Sequence, residues 1–114
     1  MPSQRIAKAS STLRKIISEL IQDGIKDPRI GFVTVVTVKV SKDLRYAKVF
    51  VNILGTEQEK KASLKGLNSA AGFISSQIRK KVRMRYIPEI SFKYDDSLDY
   101  ALHIDKLLKQ AKIK

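Results

Sequence analysis

Apolar residues at Ile6, Ala9, Leu13, Ile16, Ile17, Leu20 and Ile21 recur at steps of three and four, the spacing of one helix face. They predict an amphipathic helix over residues 3–25, with Ser3 placed to cap its start. Arg5, Lys8 and Lys15 project away from the apolar stripe. Pro28 disfavours helical geometry at Asp27, and Gly24 and Gly31 flank the turn that follows. The period then changes. "FVTVVTVKV" (32–40) is β-branched almost throughout and reads as a strand. Both of its faces are largely apolar, so it is expected in the middle of a sheet. "SKDL" is a turn. "RYAKVFVNIL" (45–54) alternates, with Ala47, Val49, Val51 and Ile53 on one face and Tyr46, Lys48, Phe50 and Asn52 on the other.

After Gly55, "TEQE" reads as a capping box, Thr56 as N-cap and Glu59 reaching back. Leu64, Leu67, Ala71, Ile74, Ile78 and Val82 then hold one face of a long helix that ends at "YIP". A third strand over 89–95 carries Ile90, Phe92 and Tyr94 on one side. Ser97 can cap a last helix bearing Leu98, Ala101, Leu102, Leu107 and Leu108. The order predicts an α+β layer: a hairpin, then a helical crossover to the third strand. A right-handed crossover with the first strand central puts the third beside it and parallel to it. The length suits one domain over 1–114, with an ordered core at 3–109 and a Lys-rich end at 110–114 that frays.

Charge narrows the function. Lys and Arg number 23 against 11 Asp and Glu, a net +12, above the roughly 2–8 units that solubility needs. A polyanion is the implied partner, and nucleic acid the commonest. No apolar run is long enough for a membrane span, and the N-terminus lacks the apolar stretch of a secretory signal. There is no cysteine, which excludes disulfides and thiolate chemistry; a cytoplasmic location fits.

The cations are unevenly placed. Arg79, Lys80, Lys81, Arg83 and Arg85 follow one another with no acid before Glu89. On a helical wheel Arg79 and Arg83 share an outward polar face with Lys65, Asn68, Ser69, Gly72 and Ser76. A helix-interior glycine costs about 1 kcal/mol relative to alanine. Close packing is one explanation. Its outward position favours another, a backbone kink that frees N–H groups at the start of a second helical segment. Small neighbours there let a phosphate backbone approach. Arg79, Lys80 and Arg83 are the first candidates for phosphate contact, with Arg85 nearer the apolar edge. Lys65, Ser69, Ser76, Arg5, Lys8, Lys15 and Arg45 extend the surface. Tyr46 and Phe50 could stack bases, but the apolar side of the last helix needs something to cover, which favours burying them.

No catalytic constellation emerges. His103 is the single histidine, no phosphate-binding loop is present, and Asp95, Asp96 and Asp99 are more simply a turn before a helix than a Mg²⁺ site. No catalytic residue, metal ligand or cofactor is assigned, and a binding role is expected in place of an enzymatic one.

Four blocks, "DPRIGFVTV", "VSKDLRYAKVFV", "LNSAAGFI" and "RMRYIPEISFKYDDS", stand in an order and spacing that resembles the ribosome-binding factor A family over residues 5–108. The resemblance implies a type II KH-like fold, α-β-β-α-α-β with a C-terminal helix and a three-stranded mixed sheet. It also implies a kinked Ala-x-Gly junction in place of the usual KH loop, here Ala70, Ala71 and Gly72. Ser75 departs from the pattern, standing where the family often has an arginine. The implied partner is the free 30S ribosomal subunit, through 16S rRNA near its 5′-terminal helix. The implied role is help with late subunit maturation and rRNA processing, without catalysis and as a monomer. Two rivals are a general single-stranded RNA-binding KH-like protein and a small RNA-processing enzyme using Asp95 and Asp96.

Overall fold

The computed structural model describes residues 4–95. Its elements are α1 (Gln4–Gly24), β1 (Phe32–Val40), β2 (Tyr46–Leu54), α2 (Glu57–Ser69), α3 (Ala71–Lys81) and β3 (Glu89–Tyr94). This is the expected α+β order. The predicted last helix, with Ser97, His103 and its leucines, and the Ser3 cap lie outside the described residues.

The apolar stripe of α1 is buried at Ala9, Leu13, Ile16 and Ile17. The helix stops where Gly24 turns to φ +109, a left-handed conformation that a side chain disfavours. Thr56 and Glu59 form the capping box at the start of α2: the Glu59 N–H donates to Thr56 Oγ1 at 3.2 Å, and the Thr56 N–H donates to Glu59 Oε1 at 3.1 Å. The single long helix expected from periodicity is two. Ala70 stands between α2 and α3 at φ −86 and ψ 0, and α3 ends at Lys81, with Val82 already extended.

The sheet corrects the expected strand order. It runs β1-β2-β3, with β1 and β2 antiparallel and β2 and β3 parallel. β2 is central and β1 is an edge. The strict alternation of β2 buries Ala47, Val49, Val51 and Ile53 completely or nearly so. β1 cannot match it, because its register shifts between Val35, opposite Val51, and Thr37, opposite Phe50. Val36 is left unpaired in a bulge, a feature typical of edges, and Phe32 is exposed. α1 packs on β1, while α2 lies against β2 and β3 and α3 against β3. One sheet face is thereby covered, by Leu13, Ile17, Leu67, Ile74 and Ile78 packed on Val49, Val51, Ile53, Ile90 and Phe92. Burying each such side chain contributes about 1.5–3 kcal/mol.

The segment "DPRIG" between α1 and β1 is pinned to α2. Ser63, buried there, accepts from the Gly31 N–H at 3.0 Å and donates to the Arg29 carbonyl at 3.1 Å. Gly66 gives this loop room, since a Cβ on it would lie 2.9 Å from Ile30 Cγ1. Asp27 holds Arg29 through its carboxylate, with Nη2 at 2.7 Å from Oδ2. Hydrogen bonds from the Arg29 side chain and backbone hold the Asp27 carboxyl down to about 2.

Candidate nucleic-acid interface

Hydrogen bonds place the bend between α2 and α3 at Ala70. Its N–H donates to Gly66 O at 3.0 Å and Leu67 O at 3.1 Å, and its carbonyl accepts from the Ile74 N–H at 2.9 Å. Gly72 is not the hinge. It lies in the first turn of α3, outside the set of positive-φ glycines (Gly24 and Gly55), and a Cβ on it would meet nothing within 4 Å. What the missing side chain provides is open space over the backbone. No side chain caps α3. Lys65, Ser69 and Ser76 are exposed around this junction, while Ala71 and Ser75 are half-buried. Ser69 and Ala70 line a hollow of about 460 Å³ with Gly24, Asp27 and the exposed Phe73.

Asn68 is exposed, on the polar face where periodicity puts it, but its amide is engaged by the backbone of β3. Its amide oxygen accepts from the Phe92 N–H at 2.8 Å, and its amide nitrogen donates to the Phe92 carbonyl at 3.2 Å. It closes the outer edge of β3. An edge strand carries unpaired backbone groups that need partners, so Asn68 is structural.

The cations after the bend do not continue one helical face. Arg79 and Lys80 are exposed in the last turn of α3, where positive charge favours the helix terminus. Arg83 and Arg85 lie beyond it in the extended segment, held off the helix by the turn to β geometry at Val82. The rise of α3 separates them from the bend by roughly 15 Å. There they meet residues far away in the chain. Arg5 and Lys8 of α1, Lys42 of the β1–β2 turn, Arg83 and Arg85 line one groove of about 650 Å³. Lys15 is exposed on α1 and Arg45 on the hairpin, neither of them in this groove. Arg45 lies loosely, at 3.9 Å, from Asp43.

Among the described residues the groove holds a single carboxylate, Asp43, and it is already engaged. Asp43 Oδ1 accepts from the Ser41 hydroxyl at 2.6 Å and the Arg45 N–H at 3.1 Å, and these bonds hold its carboxyl below the usual range. Among the described residues, Arg5, Lys8, Lys15, Lys65, Arg79, Lys80, Arg83 and Arg85 take part in no ion pair. Leu44, beside Asp43, holds φ 61, strained for a residue with a Cβ.

Tyr86 escapes the sequence reading. It lines the groove with 69% of its surface exposed, and the Arg85 guanidinium carbon lies 5.7 Å from its ring centroid. An aromatic at the end of a cation run was the available signal. On the sheet face turned away from α1, α2 and α3, Tyr46 is 54% exposed and Phe50 half-buried, with Lys39 Nζ 5.3 Å from the Phe50 ring. The expected burial of Tyr46 is therefore not met. Among the described residues no group of His, Cys, Asp and Glu could hold a metal ion, and no helix is long and apolar enough to cross a membrane.

A profile of the family described as "Ribosome-binding factor A" matches residues 5–108. The protein of that name from Natranaerobius thermophilus is 50% identical over 113 residues, 99% of this chain and 86% of the relative. The crystal structure of ribosome-binding factor A from Thermus thermophilus superposes with a TM-score of 0.69 at 29% identity, over 78% of this chain and 94% of that one. A homology model of the Thermus thermophilus ribosome binding factor A, as fitted into the cryo-EM map of a 30S–RbfA complex, matches with a TM-score of 0.64 at 29% identity, over 76% of this chain and 91% of that one.

Proposed function

The chain belongs to the ribosome-binding factor A family, and from that premise we propose that it binds the free 30S ribosomal subunit through 16S rRNA near its 5′-terminal helix. It acts there as a non-catalytic assembly factor, favouring late 30S maturation and efficient 16S rRNA processing by holding an immature RNA conformation. The whole chain serves as one KH-like domain, monomeric, cytoplasmic and without a cofactor. The observation that carries this is the groove at the far end of α3, where cations from three parts of the chain converge without carboxylate partners among the described residues. Unpaired cations at that density repel one another and call for an external anion. Phosphates satisfy them and release counterions on binding. Arg79, Lys80, Arg83, Arg85, Arg5 and Lys8 serve as phosphate contacts, while Lys65, Ser69, Ser76 and the junction at Ala70, Ala71 and Gly72 admit the backbone closely. Lys15 and Arg45 extend the field.

Co-sedimentation of the purified chain with free 30S subunits and with intact ribosomes, across a salt series, tests the proposal. Binding only to free subunits, retained near physiological salt, is the expected result. Arg83→Ala with Arg85→Ala lowers the salt slope by about 1.8 if both neutralise phosphates of duplex-like RNA, at ~0.9 each, and by about 1.4 on a single strand, at ~0.7 each. Equal binding to both particles, vanishing together as salt rises, favours instead a general single-stranded RNA-binding protein, a reading to which the exposed Tyr46 gives some footing.

A further inference from the structure

We propose that the groove between α1, the β1–β2 turn and the 82–88 segment is a seat for single-stranded RNA, with one base stacked on Tyr86 and its flanking phosphates on Arg5, Lys8 and Arg83. This rests on the RNA-binding reading above and deepens it. The groove's volume, about 650 Å³, lies within the roughly 300–1,000 Å³ of ligand-sized sites. Its chemistry is of two kinds in one place. The cations come from elements distant in sequence, so they cannot be explained as one solvated helix face. Among them stands a tyrosine ring that is 69% exposed. Exposing a ring of that size forgoes the burial that aromatic side chains usually supply, whereas a nucleobase offers a flat apolar surface that restores it.

Arg85, within cation–π distance of that ring, adds charge beside the stack. The hairpin wall is kept firm. Tyr46 N–H donates to Ser41 Oγ at 3.0 Å, Leu44 N–H donates to Ser41 O at 2.9 Å, and Ser41 and Arg45 engage Asp43. That engagement turns Asp43, the groove's one carboxylate among the described residues, to internal bonds. A duplex keeps its base faces stacked inside and offers a side ring only its terminal pair, so the exposed ring selects for unpaired nucleotides. An acidic peptide would satisfy the cations equally but has no flat partner for Tyr86.

The test is fluorescence anisotropy with a labelled mixed-sequence single-stranded RNA and a duplex of the same length, using the full chain, Tyr86→Ala and Tyr86→Phe. Tyr86→Ala is expected to weaken single-strand binding about 5- to 150-fold, the range for losing one base stack, with a much smaller effect on the duplex. Tyr86→Phe recovers most of the loss, because it keeps the ring. The salt slope stays the same for Tyr86→Ala, since no phosphate contact is removed, and falls for Arg83→Ala. Unchanged single-strand affinity in Tyr86→Ala, an equal loss on the duplex, or polyglutamate competing as well as RNA each overturns the stacking inference. Wild-type chain that fails to bind free 30S subunits overturns the RNA reading itself. Subunit binding that is retained, with Tyr86→Ala indistinguishable from wild type, removes only the stacked base.

Discussion

Gly66 and Gly72 lie in neighbouring helices and lack a side chain for opposite reasons. At Gly66 the space is taken: a Cβ would lie 2.9 Å from Ile30 Cγ1 and 3.4 Å from Arg29 Cβ. At Gly72 nothing comes within 4 Å and the backbone is ordinary helix. Gly66→Ala is expected to destabilise, overpacking by about 1–3 kcal/mol against a helix-propensity gain of up to about 1 kcal/mol. Gly72→Ala, free of the clash, should stabilise by up to about 1 kcal/mol and weaken RNA binding if a phosphate backbone passes over it. Urea unfolding of the two variants decides, and a shift of the same sign in both would contradict this reading. The helical wheel singled out Gly72 and passed over Gly66, because a wheel shows which way a residue faces and not what stands opposite. Ser63 and Tyr86 were missed for the same reason. The first is explained only by Arg29 and Gly31 across from it, the second only by the groove it enters.

At the scale of elements, the Asn68 side chain joins α2 to the outer edge of β3 through both polar groups of Phe92. Asn68→Ala leaves that N–H and carbonyl without their partner. The expected cost is about 1–3 kcal/mol, less where water replaces the amide. Thermal unfolding measures the loss, and faster hydrogen exchange at the Phe92 amide locates it; unchanged exchange would mean the edge is protected in some other way. Element type was readable from sequence: the alternation in β2, the capping box at Thr56 and the turn after α1 marked by Gly24 and Pro28 are local signals with local causes. The order of strands was not. β1 has apolar residues on both faces and looks central, yet its bulge at Val36 and the placement of α2 and α3 against β3 leave it at the edge. The break in the long helix was expected from Gly72 and the Ala-x-Gly resemblance, but periodicity alone does not show it, since Ala71, Ile74 and Ile78 stay in phase with Leu67 across the bend at Ala70.

For the whole molecule, acid is the revealing variable. Asp27 falls from an ordinary 3.8 to about 2 through Arg29, while the Ser41 hydroxyl lowers Asp43 and the Thr56 backbone N–H lowers Glu59. The folded state binds fewer protons than the unfolded one between these limits, so stability rises with pH there. It is fully present only above about pH 5, clear of the unfolded values, and is lost as pH falls toward about 2. Each acid protonated also adds to a net charge already at +12, and the repulsion is screened by salt. Melting temperature should therefore drop steeply between pH 4 and 2, less so in high salt. Asp27→Asn should start from a lower plateau and fall less steeply, because the carboxylate that titrates is gone. A melting curve series on both chains checks this, and parallel profiles would assign the acid sensitivity elsewhere.

By itself the sequence determined the kinds of the described elements, the capping box at Thr56, the face each helix turns inward, the excess of positive charge and the family. These follow from periodicity, side-chain chemistry and blocks of residues close together in the chain. Tertiary structure alone decided which strand is central, that Asn68 and Ser63 serve the framework, and that Arg5, Lys8 and Lys42 stand around Arg83, Arg85 and Tyr86. Periodicity reports which way a residue faces, whereas a neighbour from another element is set by how the whole chain closes on its core.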